Sequence, residues 1–82
     1  GRDDKGKEVD FIVKKPEGSF IAIQVCYRLH DDNLKRETAS LKLAGKYLPD
    51  IEKVVVYRYN VLQQELPGDI IFVTAQDFLL DW

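Results

Sequence analysis

The run Glu8-Val9-Asp10-Phe11-Ile12-Val13-Lys14, the break Lys15-Pro16-Glu17-Gly18, and the run Ser19-Phe20-Ile21-Ala22-Ile23-Gln24-Val25-Cys26-Tyr27 decide how this chain folds. β-Branched and aromatic residues fill both runs, and a Pro/Gly turn joins them, which is the pattern of a β-hairpin. Strand side chains alternate, so Val9, Phe11 and Val13 share one face of the first strand, and Glu8, Asp10, Ile12 and Lys14 the other. In the second strand Ile21, Ile23, Val25 and Tyr27 face one way, and Phe20, Ala22, Gln24 and Cys26 the opposite way. Both of these faces are largely apolar, which predicts a central strand covered on both sides. Antiparallel pairing brings Asp10 within reach of Gln24 and Cys26, three polar groups on otherwise apolar strands.

Outward from the hairpin, His30-Asp31-Asp32-Asn33 is a polar break that supplies N-cap candidates. Leu34, Thr38, Leu41, Gly45 and Leu48 then recur at helical spacing, with Ala44 beside Leu41 and Ala39, Leu43 and Tyr47 on a flank. The spacing predicts a helix over 34–48, stopped by Pro49. Glu52 to Tyr59, with Val54-Val55-Val56 at its centre, reads as a third strand. A strand, a helix and a buried strand make a βαβ unit, so the third strand should run parallel to the second through a right-handed crossover. Pro67-Gly68-Asp69 marks a turn, and Ile70 to Val73 reads as a fourth strand. Thr74-Ala75-Gln76-Asp77 fits a capping box that opens a short helix through Leu80. The expected class is α/β (α+β by some conventions), a small mixed sheet with the hairpin at its centre and helices packed on it.

Eighty-two residues make a single domain near the low end for independent folding. The chain begins at Gly1 and contains no Met, so a domain of a longer protein is expected, with residues 1–7 a flexible lead-in. A net charge of −2 argues against a broad electrostatic footprint for nucleic acid and leaves room for a local one. The single Cys excludes an intrachain disulfide and a multi-cysteine zinc site. Apolar runs fall well short of the roughly 20 residues that span a bilayer, and no signal peptide is visible, so a cytoplasmic protein without a membrane partner is expected. GxxxxGK[ST] does not occur, so any ATPase activity of a parent protein would lie outside these residues. No Ser-His-Asp arrangement has a recognisable local context.

A divalent-metal site for phosphodiester cleavage needs hard oxygen ligands, usually two carboxylates, and commonly a lysine. An Asp on one strand and Glu-x-Lys on the next would supply all three on one face. Gly6-Lys7-Glu8-Val9-Asp10-Phe11-Ile12-Val13, Ile23-Gln24-Val25-Cys26-Tyr27, the helix at Lys35-Arg36-Glu37-Thr38-Ala39-Ser40-Leu41 and the valine strand at 54–56 resemble the PD-(D/E)XK nuclease superfamily. More closely, they look like the C-terminal domain of a group of bacterial and archaeal AAA-type ATPases. The resemblance covers roughly residues 6–80 and implies a restriction-endonuclease-like core with an upstream ATPase domain as partner. It places the metal-binding aspartate at Asp10, a second acid at position 24 and a lysine at 26. The chain has Gln24 and Cys26 instead. Gln keeps an oxygen and loses the charge, which weakens Mg²⁺ or Mn²⁺ binding. Cys is neutral near its usual pKa of about 8.5 and does not replace an ammonium.

The expected function is therefore a nuclease-like domain with a degenerate active site, serving interaction or regulation through nucleic acid or protein. A working nuclease is the alternative, with Asp10, the Gln24 carbonyl and Glu8 holding Mg²⁺ or Mn²⁺. A structural oligomerisation domain, a homo-oligomer, is a third reading. Cys26 is in the ordinary case a small buried hydrophobe. His30 reads as a surface residue of a polar loop. Lys35, Lys42 and Lys46 read as a solvated helix face, with phosphate contact as the functional alternative. Tyr47, Tyr57 and Tyr59 are by default packing residues, with base stacking as theirs.

Overall fold

The computed structural model describes residues 9–81. Its element order is β1 (Phe11–Lys14), β2 (Phe20–Leu29), α1 (Leu34–Tyr47), β3 (Glu52–Asn60), β4 (Ile71–Thr74) and α2 (Ala75–Asp81). The domain is a small mixed α/β fold, a four-stranded mixed sheet with two helices. β1 and β2 form the expected antiparallel hairpin, with Phe11 opposite Ile23 and Lys14 opposite Phe20. Its turn closes through Gly18 N–H donating to Lys15 C=O at 2.9 Å and Lys15 N–H donating to Ser19 C=O at 2.7 Å. Gly18 sits at φ +106°, a conformation that side chains oppose and glycine adopts freely.

β3 runs parallel to β2, as the βαβ reading predicts, with Ile23 beside Val54 and Val25 beside Val56. β4 adds in parallel to the far side of β3. The strand order is β1-β2-β3-β4, which corrects one expectation: the hairpin is not at the centre of the sheet. β2 and β3 are central, and β1 is an edge strand among the described residues. A hairpin fixes only which strand β1 pairs with, whereas the other side of β2 goes to the valine strand delivered by the crossover.

The two sheet faces bury separate cores. On one, Ala22, Cys26 and Val55 pack with Leu34 and Leu41 of α1 and with Leu29, Ile51 and Ile70. On the other, Ile21, Ile23, Val54 and Val56 pack with Val73, Ala75 and Phe78. The expectation that β2 is covered on both sides holds for its first half only, since Val25 and Tyr27 are exposed. α2 has seven residues and is therefore about 10 Å long. It packs on β3 and β4, leaving the β1 side of its face open.

α1 ends at Tyr47 with Leu48 N–H donating to Ala44 C=O, just before Pro49. Thr74 caps α2 as its sequence predicts, its Oγ1 accepting from Asp77 N–H at 3.1 Å. The irregular stretch after β3 is tied back by Asp31, whose Oδ1 accepts from Gln63 N–H at 3.0 Å and Gln64 Nε2 at 3.2 Å.

Candidate functional site

Gln24 and Cys26 lie on the α1 face of the sheet, as strand alternation requires, and Asp10 stands just before β1. Asp10 immediately precedes Phe11, whose partner is Ile23, so it stands on the Gln24 side of the ladder. It is exposed, and its Oδ2 accepts from Val25 N–H at 2.9 Å. That N–H points toward β1 at the place where the chain bends away from the strand, so the carboxylate finishes a ladder that the backbone leaves.

Gln24 is buried at 8% exposure, and both ends of its amide are bonded to α1. Nε2 donates to Glu37 Oε1 at 3.3 Å, and Oε1 accepts from Ser40 Oγ at 3.1 Å. The orientation follows from chemistry: a carboxylate only accepts, so it faces the NH₂, and the amide oxygen is left for the hydroxyl. Glu37 is held from outside by Arg36, whose Nη2 lies 3.3 Å from Oε2. Ser40, 1% exposed, satisfies its buried hydroxyl on Gln24.

Cys26 is buried one turn of the ladder further on. Its Sγ–H donates to Arg28 C=O at 3.1 Å, and Sγ accepts weakly from Asn33 Nδ2 at 3.5 Å. Burial pushes the thiol's pKa up, and the Glu37 carboxylate adds to the rise. Cys26 is therefore held as a neutral thiol at physiological pH, the less reactive form. Asn33, expected as an N-cap, occupies that position, yet its side chain does not cap the helix. Its Nδ2 also donates to Arg28 C=O at 2.7 Å, while Oδ1 accepts from His30 N–H at 2.9 Å. The residue clamps the end of β2 to the start of α1.

Gln24 and Cys26 thus belong to a polar seam between β2 and the start of α1, whereas Asp10 stands apart from it, exposed and bonded to the β2 backbone. Sequence reasoning missed Glu37, Ser40 and the clamping role of Asn33. The signal was present, since 33, 37, 40 and 44 follow the i, i+4, i+7, i+11 spacing of one helix stripe beside the apolar one.

Among the described residues the candidate positions make a poor donor set for Mg²⁺ or Mn²⁺. It offers one exposed carboxylate at Asp10, an amide oxygen already accepting from Ser40, and a protonated thiol, where a hard dication wants several free oxygens. Among the described residues no group of three His, Cys, Asp or Glu side chains is placed to hold a metal ion. Glu8, the remaining candidate ligand, lies outside the described residues.

The secondary candidates are scattered. His30 Nδ1 accepts from Asp32 N–H at 3.2 Å within its own loop. Lys35, Lys42 and Lys46 line an open groove of about 350 Å³ with Ala39 and Leu43. Tyr57 packs on the α1-side core, Tyr47 is exposed, and Tyr59 meets Tyr27 edge-on at 5.4 Å. No helix among the described residues is long and apolar enough to cross a membrane. The chain matches no family model, no curated protein and no solved structure.

Proposed function

We propose that this chain is a nuclease-like domain without efficient catalysis, acting as an interaction or regulatory module, toward nucleic acid or protein, within a larger AAA-type ATPase. The observation that carries this reading is the Gln24 amide, tied at one end to Glu37 and at the other to Ser40. At the position where the resemblance to PD-(D/E)XK nucleases implies a metal-binding acid, the side chain joins sheet to helix. Cys26, at the lysine position, is likewise consumed by Arg28 and Asn33. The resemblance at Gly6–Val13, Ile23–Tyr27 and Lys35–Leu41 supplies the context of the parent ATPase.

Calorimetric titration with Mn²⁺, together with cleavage assays on single- and double-stranded DNA and on RNA, tests the reading. The expected result is neither binding heat nor cleavage. Gln24→Glu combined with Cys26→Lys should then create Mn²⁺ binding that the natural chain lacks. Cleavage by the natural chain that disappears in Asp10→Ala would overturn the reading in favour of a working nuclease.

A further inference from the structure

α1 carries the cations Lys35, Arg36, Lys42 and Lys46 and a single anion, Glu37, in a chain whose net charge is −2. Charge is therefore segregated, and this helix is a basic element of an acidic protein. Arg36 and Glu37 pair with each other. Lys35, Lys42 and Lys46 are exposed, and among the described residues none of them makes an ion pair. At i, i+7 and i+11 they form one row along the helix, about 16 Å from end to end.

A second row, Ala39, Leu43 and Tyr47 at i, i+4 and i+8, runs beside the first. The buried side of α1 holds Leu34, Thr38 and Leu41, so the lysine row stands about a quarter turn from the sheet and the apolar row about half a turn. Leu43 is 39% and Tyr47 79% exposed, and neither joins a core cluster. Lys35, Ala39, Lys42, Leu43 and Lys46 line one open groove. A helix face meant only for water carries polar residues opposite its core. α1 carries leucine and tyrosine there, with unpaired ammonium groups along one flank.

We propose that this face of α1 docks an acidic amphipathic helix of a protein partner. The partner's apolar row packs on Ala39, Leu43 and Tyr47, and carboxylates along one of its flanks meet Lys35, Lys42 and Lys46. Rows of residues four apart interdigitate when two helices cross, and the small Ala39 permits close approach. Nucleic acid is the poorer occupant. Lys35 and Lys42 also line a second groove together with Asp31 and Glu65, so the other flank of the lysine row is acidic. A phosphate backbone, charged at every step, would run beside those carboxylates and leave Leu43 uncovered. A helix with acids on one flank covers the leucine and keeps its charges on the lysines. This names a partner for the interaction module through a surface that shares no residue with the Gln24 seam, so the docking test and the cleavage assays can fail separately.

Fluorescence anisotropy of a labelled synthetic peptide, titrated with the full 82-residue chain, tests the proposal. The probe is a helical peptide of about 16 residues, long enough to span the lysine row, with leucine at i, i+4 and i+8 and glutamate along one flank. Saturable binding is expected, weakening several-fold between about 50 and 500 mM NaCl. A scrambled peptide of the same composition should bind at least about tenfold more weakly, because its apolar residues no longer share a face. Lys42→Glu should raise the dissociation constant about tenfold by setting like charges opposite. Leu43→Ser should do the same by removing the apolar contact, about tenfold again. Far-UV circular dichroism checks each fold, and Lys42→Ala, expected to bind several-fold more weakly, replaces Lys42→Glu if that variant does not fold. No saturation with the chain at about 1 mM, equal affinity for the scrambled peptide, or binding indifferent to both substitutions would overturn the proposal. DNA and RNA oligonucleotides are titrated alongside. Oligonucleotide binding tighter than that of the peptide, lost in Lys42→Glu and kept in Leu43→Ser, would give the face to nucleic acid and overturn it as well.

Discussion

Gln24 on β2 and Glu37 on α1, thirteen residues apart, meet through an N–H···O bond of 3.3 Å in the part-buried seam between sheet and helix. The bond joins a neutral donor to a carboxylate, and Ser40 satisfies the other end of the same amide. Hydrogen bonds to charged groups are the stronger ones, and buried groups that lose their partner are costly.

Gln24→Leu should therefore destabilise the domain by about 1–3 kcal/mol, because it strands the Ser40 hydroxyl and a Glu37 oxygen in a place water reaches poorly. Urea unfolding curves with unchanged slopes and a lowered midpoint are the expected result. An effect confined to a few tenths of a kcal/mol would show that the seam contributes little.

Gln24→Glu sets a second carboxylate against Glu37, so the pair ionises less readily when folded than when unfolded. A folded-state pKa raised above the unfolded value means that the folded protein holds more protons across that interval, and stability falls as pH rises through it. The variant should match the natural chain most closely in mild acid and lose stability toward neutrality. Thermal melts at several pH values check the sign. Pairing with Cys26→Lys should recover part of the loss, since the ammonium stands beside Glu37.

Cys26 has a thiol pKa raised by burial and by Glu37. The thiolate is the reactive form, so a thiol-specific reagent should label the folded chain at least about tenfold more slowly than the urea-unfolded chain at neutral pH. The same shift makes the thiol's contribution to stability complete below its unfolded pKa and lost as alkaline pH passes the folded one. Cys26→Ala should flatten the alkaline decline in melting temperature.

Asn33→Ala removes the bonds to Arg28 C=O at 2.7 Å and His30 N–H at 2.9 Å from a residue that is 6% exposed. A loss of about 1–3 kcal/mol is expected. Asn33→Asp keeps the acceptor for His30 and loses the donor, placing a carboxylate against the Arg28 carbonyl. It should be as damaging as Ala at neutral pH and milder in acid.

Gly18→Ala should cost about 1 kcal/mol through backbone strain alone, since φ is +106° and nothing lies within 4 Å of the added Cβ. Gly68→Ala, equally open and without the positive φ, is the control and should be near neutral. Comparing their thermal melts isolates the turn from any packing effect.

The amino-acid sequence by itself determined the elements and the faces. Alternation put Gln24 and Cys26 on one face of β2, and the helical spacing of Leu34, Thr38 and Leu41 gave α1 to within a residue of its end at Tyr47. The strand–helix–strand order gave the parallel pairing of β2 with β3. These are local periodicities, and a chain cannot bury its apolar residues without obeying them. Only the tertiary structure decided that β1 lies at the edge among the described strands, because strand order depends on which strands compete for each side of β2. It alone showed what Gln24 and Cys26 touch. Their partners, Glu37, Ser40 and Asn33, arrive from across a crossover, where no periodicity in the strand names them. A hydrogen bond is set by a few ångströms and by direction, and packing α1 on the sheet supplies both.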